Sequence, residues 1–253
     1  NCVLQAAAEY GRVGVVKLLL EDSRVDPSAN DNYAIRIASR NGHIGVVKLL
    51  LKDDRVDPSA NDNYAIRYAS RNGHICVVKL LLKDDCADPS ADTNYAIRYA
   101  SINGHADVVS LLLKDVRVDP ADDDNYAIRS ASANGHTDIV DLLLKDGRAD
   151  PTADDNYAIR FASSNGHTDI VALLLKDSRA DPTAGDNYTI REASQNRHAD
   201  VVALLLKDGR ADPSADDNYA IGVTSQWGHI DTIDLLLKDK RVNPADDDNY
   251  AIR

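Results

Sequence analysis

Apolar positions recur along the chain in blocks of 31 residues, each holding two short stretches of helical spacing and one longer polar stretch. In the block that opens at Asn63, the residues Tyr64, Ala65, Tyr68 and Ala69 fall at i, i+1, i+4 and i+5, with Ile66 between them. This spacing predicts a short inner helix, with Asn63 as its N-cap and Gly73 as its left-handed C-cap. The second stretch, Ile75, Val77, Val78, Leu80, Leu81 and Leu82, is apolar on so many sides that it predicts an outer helix sandwiched between neighbours, with Lys79 and Lys83 on a wet edge. About ten residues of Asp, Pro, Ser, Ala and Asn follow, a composition that stops helices and makes turns, and so predicts an extended, exposed loop.

Tyrosine marks the register at positions 33, 64, 95, 126, 157, 188, 219 and 250. A constant period in this range predicts a mainly α solenoid of about eight stacked helix hairpins, an elongated rod or arc with long surfaces and no obvious pocket. Inner helices are expected near 33–41, 64–72 and onward by 31, outer helices near 44–53, 75–84 and onward. Asn-Gly, kept in five repeats, is ordinarily a strand-hairpin signal. Here both flanks carry helical periodicity, so Asn72-Gly73 reads as a helix end and a tight helix hairpin.

The motif G-H-x-x-V-V-x-L-L-L preceded by A-S-x-N resembles the ankyrin repeat, from Gly11–Leu20 through Gly228–Leu237. Two departures stand out. Tyr64-Ala65-Ile66-Arg67 occupies the place of the family's T-P-L-H, and the period is two residues short of the family's, with the deficit between Leu82 and Tyr95. The resemblance implies a single helix-hairpin solenoid over 1–253 with short loops, no enzymatic activity and no cofactor. It also implies protein–protein binding through loop tips and the concave face of the inner helices. The style of the repeat looks like the divergent arrays of large DNA viruses and protists.

Composition fits a soluble intracellular, cytoplasmic array held by local packing. No stretch of 18 apolar residues or signal-like start occurs, so neither membrane insertion nor secretion is indicated. Cys2, Cys76 and Cys86 are an odd, scattered set and are expected to be free thiols. The formal charge of −12 disfavours nucleic acid, whose binders draw affinity from phosphate neutralisation. Residues 1–126 hold 15 basic and 19 acidic side chains, and residues 127–253 hold 14 and 22, so a basic protein partner would be steered to the C-terminal half. Acidic runs such as Asp122-Asp123-Asp124 and Asp246-Asp247-Asp248 lack the alternating ligands of a calcium loop and read as solvated.

All seven histidines follow the helix-capping residue, one per repeat. Packed helices lie about 8–10 Å apart, whereas two nitrogens on one zinc each sit within about 2.1 Å of it. A shared metal is therefore not expected, and the ring is assigned to backbone hydrogen bonding at the turn. Every Ser, Cys or Asp near a histidine repeats with it, which leaves no singular constellation for a catalytic site. The arginines at 36, 67, 98, 129, 160 and 191 are expected to reach loop aspartates of their own or the next repeat, and the tyrosines to stack edge to face along the array.

Function is sought where repeats differ. One inner-helix column reads Ile37, Tyr68, Tyr99, Ser130, Phe161, Glu192, Val223, and a second reads Arg40, Arg71, Ile102, Ala133, Ser164, Gln195, Gln226. Tyr68, Arg71, Tyr99, Ile102 and Phe161 are candidate partner contacts, since Tyr and Arg are enriched at interface centres. Packing between repeats is the competing account of the first column. A second irregular zone has Glu192 for a neutral residue, Arg197 for the capping glycine and Trp227 for asparagine. That zone is either a specialised contact surface or a drifting repeat. Missing polar caps at both ends lead to two further expectations: the residues are a segment of a longer array, and chains can assemble end to end or laterally into a filament.

Overall fold

The computed structural model describes residues 1–245, and the fragment of inner helix expected beyond 246 lies outside them. The chain divides into two compact units, Asn1–Asp123 and Asp124–Arg253. The first unit contains α1 (Cys2–Glu9), α2 (Val13–Leu20), α3 (Ala29–Arg40), α4 (Ile44–Leu50), α5 (Ala60–Arg71), α6 (Ile75–Leu81), α7 (Ala91–Ile102) and α8 (Ala106–Leu112). The second contains α9, Asp122–Ala133, which starts at the boundary, then α10 (Thr137–Asp146), α11 (Ala153–Ser164) and α12 (Thr168–Lys176). It continues with α13 (Ala184–Gln195), α14 (Ala199–Asp208), α15 (Ala215–Trp227) and α16 (Ile230–Leu236). Among the described residues there is no strand.

In each unit odd-numbered helices pack on odd-numbered ones and even on even, so a layer of inner helices lies beside a layer of outer ones. This is the helix-hairpin solenoid that the period predicts. The core comes from the same columns in every repeat: Ala65, Ile66 and Ala69 of α5, and Val77, Val78 and Leu81 of α6, are almost wholly buried, as are their counterparts Ile97, Leu112, Ile128 and Leu143. Leu80 and Leu82 are half-buried, which is why the outer helix reads as apolar all round in sequence.

The polar stretch is not extended. Within the opening turn of each described inner helix range from α3 on, three residues in succession take the left-handed conformation, for example Asn61 (φ 55°, ψ 52°), Asp62 (φ 55°, ψ 51°) and Asn63 (φ 58°, ψ 33°) of α5. The right-handed helix starts only afterwards, at Tyr64. Left-handed backbone costs an L-residue about 1–2 kcal/mol, least for Asn and Asp, and this preference explains the Asp/Asn-rich composition. Thr93, a β-branched residue at φ 55°, is the odd member.

The N-cap of α5 is Ser59 and not Asn63; Ser59 makes no side-chain cap hydrogen bond, and Asn63 lies left-handed inside the helix range. Its Oδ1 instead accepts the backbone N–H of Asp88 in the next loop at 2.7 Å. The same bond recurs from Asn32 to Asp57, Asn94 to Asp119, Asn125 to Asp150, Asn156 to Asp181, Asn187 to Asp212 and Asn218 to Asn243. The loops are thus strapped to one another, repeat to repeat. A second strap is an Asp-x-Arg clip: Arg117 grips Asp115 through Nε and Nη2 and passes Nη1 to the carbonyl of Ala87 at 2.9 Å. Arg55, Arg179, Arg210 and Arg241 do the same. Cys86 stands where this arginine would be, and all three cysteines are free and exposed.

Candidate partner-binding surface

The regular columns are consumed in holding repeats together. From the second hairpin turn on, a histidine stands at the turn and is set against the repeat before it: His74 donates Nε2–H to the carbonyl of Arg40 at 3.0 Å, and His105 to that of Arg71 at 3.0 Å. Asn72 and Asn103 donate to the same two carbonyls, both at 2.8 Å. These bonds satisfy acceptors left open at the end of an α-helix. The capping glycine has a second task. At Gly73, φ is +75° and a Cβ would lie 2.7 Å from Nδ1 of His105, so the next repeat's imidazole fills the space that a side chain would need.

The arginine column behaves as expected. Arg67 and Arg98 pair with Asp92 and Asp123 one loop on, and Arg129 and Arg191 reach Asp154 and Asp216 at 2.7 Å. Arg160 meets Gly185 there and has Asp155 at 3.9 Å and the Asp154 carbonyl at 3.2 Å, while Arg36 donates to the carbonyl of Asp31 at 2.7 Å and pairs with no carboxylate among the described residues. In the Asp-x-Arg clips, the arginine's hydrogen bonds hold the carboxyls of Asp53, Asp115, Asp146, Asp208 and Asp239 below the ordinary carboxylate range.

The tyrosine column does not stack on itself. Tyr64 lies flat on Tyr68 of its own helix with ring centres 4.0 Å apart, Tyr68 tilts against Tyr95 of the next repeat at 5.6 Å, and Tyr95 lies on Tyr99 at 4.0 Å. The variable residue one turn on completes the row, which the edge-to-face expectation missed. In the second unit Tyr157, Phe161 and Tyr188 repeat the arrangement at 3.9 and 6.1 Å. Packing and exposure coexist here, because Tyr68, Tyr99 and Phe161 are half-buried. Arg71 is exposed and held by this row: Nη1 donates to the Tyr95 hydroxyl at 3.0 Å, and the guanidinium lies 5.7 Å from the centre of Tyr68 and 5.3 Å from that of Tyr99. Burial, the larger effect, pushes the Tyr95 hydroxyl up, and the cation opposes it. Ile102 is half-buried on the same face. The variable column and the next tyrosine meet again where the Tyr219 hydroxyl donates to Gln195.

The second irregular zone departs from the other turns at Arg197 and at His229. Arg197 is left-handed at φ 65° without being glycine, at a cost of about 1–2 kcal/mol. It brings the Cβ that the other turns lack, and the following histidine differs: His229 donates through Nδ1 to Ser194 at 3.2 Å, whereas His43, His74, His105, His167 and His198 use Nε2 on a carbonyl one residue later in register. Trp227 replaces the asparagine that elsewhere donates to the preceding inner helix and is 65% exposed; Ile230 beside it in sequence is 76% exposed. Glu192 is half-buried. The sequence signalled each substitution but not the displaced histidine.

A family model described as ankyrin repeats (3 copies) matches residues 1–62, 36–124, 66–155, 97–186 and 128–217. A search of curated proteins finds no match to the chain. No helix among the described residues is long and apolar enough to cross a membrane.

Proposed function

Because this chain belongs to the ankyrin repeat family, whose members are in general protein–protein interaction modules and typically non-enzymatic, we propose that it is a scaffold that binds a partner protein through its inner-helix face and loop tips. One observation carries the reading. Asn, His and Arg of the constant columns are spent on bonds between repeats, whereas the variable positions Tyr68, Arg71, Tyr99, Ile102 and Phe161 reach solvent on the inner helices. Tyr68, Arg71, Tyr99, Ile102 and Phe161 supply rigid rings and a stacked cation of the kind that anchors interfaces. Glu192, Arg197 and Trp227 supply a strained turn beside an exposed indole.

The test starts from a partner captured by chemical crosslinking and identified by mass spectrometry. Its affinity is then measured against Tyr99→Ala and Trp227→Ala, each shown by circular dichroism to keep its helix content. A true anchor loses about 2 kcal/mol or more. Affinities within about threefold of the parent for both variants refute the proposal.

A second reading, homotypic assembly, draws on Val3, Tyr10, Val13, Val15 and Leu18, all exposed on the first hairpin. Light scattering that stays monomeric at high concentration refutes it, as does a dimer that survives Leu18→Glu.

A further inference from the structure

We infer that the hairpin-turn edge of the inner-helix face in the first unit receives an acidic, aromatic-bearing or aliphatic-bearing peptide segment of a protein partner. The inference rests on the scaffold reading and sharpens it. The whole chain carries −12, yet its charges are segregated. In the first unit every acidic side chain except Glu9 and Asp107 lies in the segments that join one hairpin to the next or in the opening turn of an inner helix, at the far end of the helices from the hairpin turns. Several of these carboxylates are already engaged, Asp53 and Asp115 by the arginine two residues on and Asp92 by Arg67. At the hairpin turns stand Arg12, Arg40 and Arg71, all exposed. The second residue of the outer helix, which lies at the same end, is Gly14, Gly45 and Cys76 in the first three repeats. From the fourth repeat on that position is Asp107, Asp138, Asp169, Asp200 and Asp231, and the arginine column has become Ile102, Ala133, Ser164, Gln195 and Gln226. The basic edge is therefore confined to the first three repeats, all within the first unit.

Arg71 is also prepared for a ligand. One of its five N–H groups is spent on Tyr95, and the Tyr68 and Tyr99 rings orient the plane. The remaining donors have the forked geometry that matches a carboxylate in two parallel bonds. No ion pair holds Arg40 among the described residues. The row of rings next to these cations offers apolar faces to a flanking side chain. Long nucleic acids also carry anions, but a polyanion extending past this edge meets the aspartates of the loops. A short acidic segment avoids them.

The probes are two pools of fluorescein-labelled peptides about twelve residues long, one drawn from Asp, Glu, Tyr, Leu and Gly and the other from Lys, Arg, Tyr, Leu and Gly. Binding to the full chain is read by anisotropy at about 0.05 M salt, where surface charges are least screened. The acidic pool is expected to bind more tightly than the basic pool. Arg40→Gln with Arg71→Gln should weaken it about tenfold or more, about 1.4 kcal/mol on the affinity scale. Arg40→Lys with Arg71→Lys should recover part of the loss, and Lys79→Gln, on the exposed edge of the outer helix, should leave the parent's affinity unchanged. Preference for the basic pool, no binding of either pool, or indifference to the glutamine pair overturns the inference. Sensitivity to Trp227→Ala alone overturns it too, while leaving the scaffold reading standing. Displacement of the peptides by single-stranded poly(U) with the same arginine dependence assigns the edge to nucleic acid and overturns it as well.

Discussion

Asn63 discriminates between two accounts of the same residue. If it were a helix cap, replacement by Gly would cost a few tenths of a kcal/mol and by Ala about 1 kcal/mol. In the structure it does two other things: it sits left-handed at φ 58°, and its Oδ1 satisfies the partly buried N–H of Asp88 across the gap to the next loop. Asn63→Gly keeps the backbone at ease and removes only the acceptor, leaving an orphaned donor worth about 1–2 kcal/mol, the lower part of the range because the site is half-exposed. Asn63→Ala adds the left-handed penalty of about 1–2 kcal/mol and should total about 2–4. Asn63→Asp keeps both properties and should cost least. Urea unfolding of the full chain gives the three values, and hydrogen exchange at the Asp88 amide localises them. Asn63→Gly unfolding within about 0.3 kcal/mol of the parent, with Asp88 still protected, refutes the strap.

Leu143 is fully buried in α10, so Leu143→Ala should cost about 2–5 kcal/mol in chemical denaturation. A loss under about 1 kcal/mol shows that neighbouring repeats collapse into the space. Cys86→Arg should restore the missing clip on Asp84 and raise stability by about 0.5–1.5 kcal/mol, a half-exposed ion pair plus one bond to a carbonyl; Arg117→Cys is the reverse test, and equal midpoints for both variants refute it. The clip carboxylates titrate below their unfolded range. Their contribution is therefore complete above the unfolded value of about 3.9 and is lost as pH falls through the depressed folded values. Thermal unfolding followed from pH 6 downward should show this loss beginning near pH 4, and less of it in Arg117→Gln.

The helices were legible because burial of Ala65, Ile66, Val77, Val78 and Leu81 imposes a periodicity that nothing local contradicts. The loops were not. Asp and Asn favour turns, caps and left-handed backbone alike, and only the bond from Asn63 to a residue 25 positions away selects among these. The tyrosine row was misread for a related reason: the contact partner of Tyr64 is four residues along its own helix, on a column that is aromatic in only three repeats, Tyr68, Tyr99 and Phe161. The candidate contacts were visible as breaks in a repeating pattern, but the grip of Tyr95 on Arg71 depends on how adjacent inner helices meet and leaves no local trace.

The fit of each histidine ring into the empty space above the preceding glycine has a directional consequence. A side chain added at Gly42, Gly73 or Gly166 collides with a ring that belongs to the following repeat, His74, His105 or His198. Lesions at these turns are therefore exported toward the C-terminus by one period. Arg197 and His229 preserve one such event, the substitution recorded at one address and the accommodation at the next. In a mutational scan of this chain, the phenotype of a capping glycine should map onto its downstream neighbour, and the partner to co-vary in a rescue is a histidine 32 residues further along the chain.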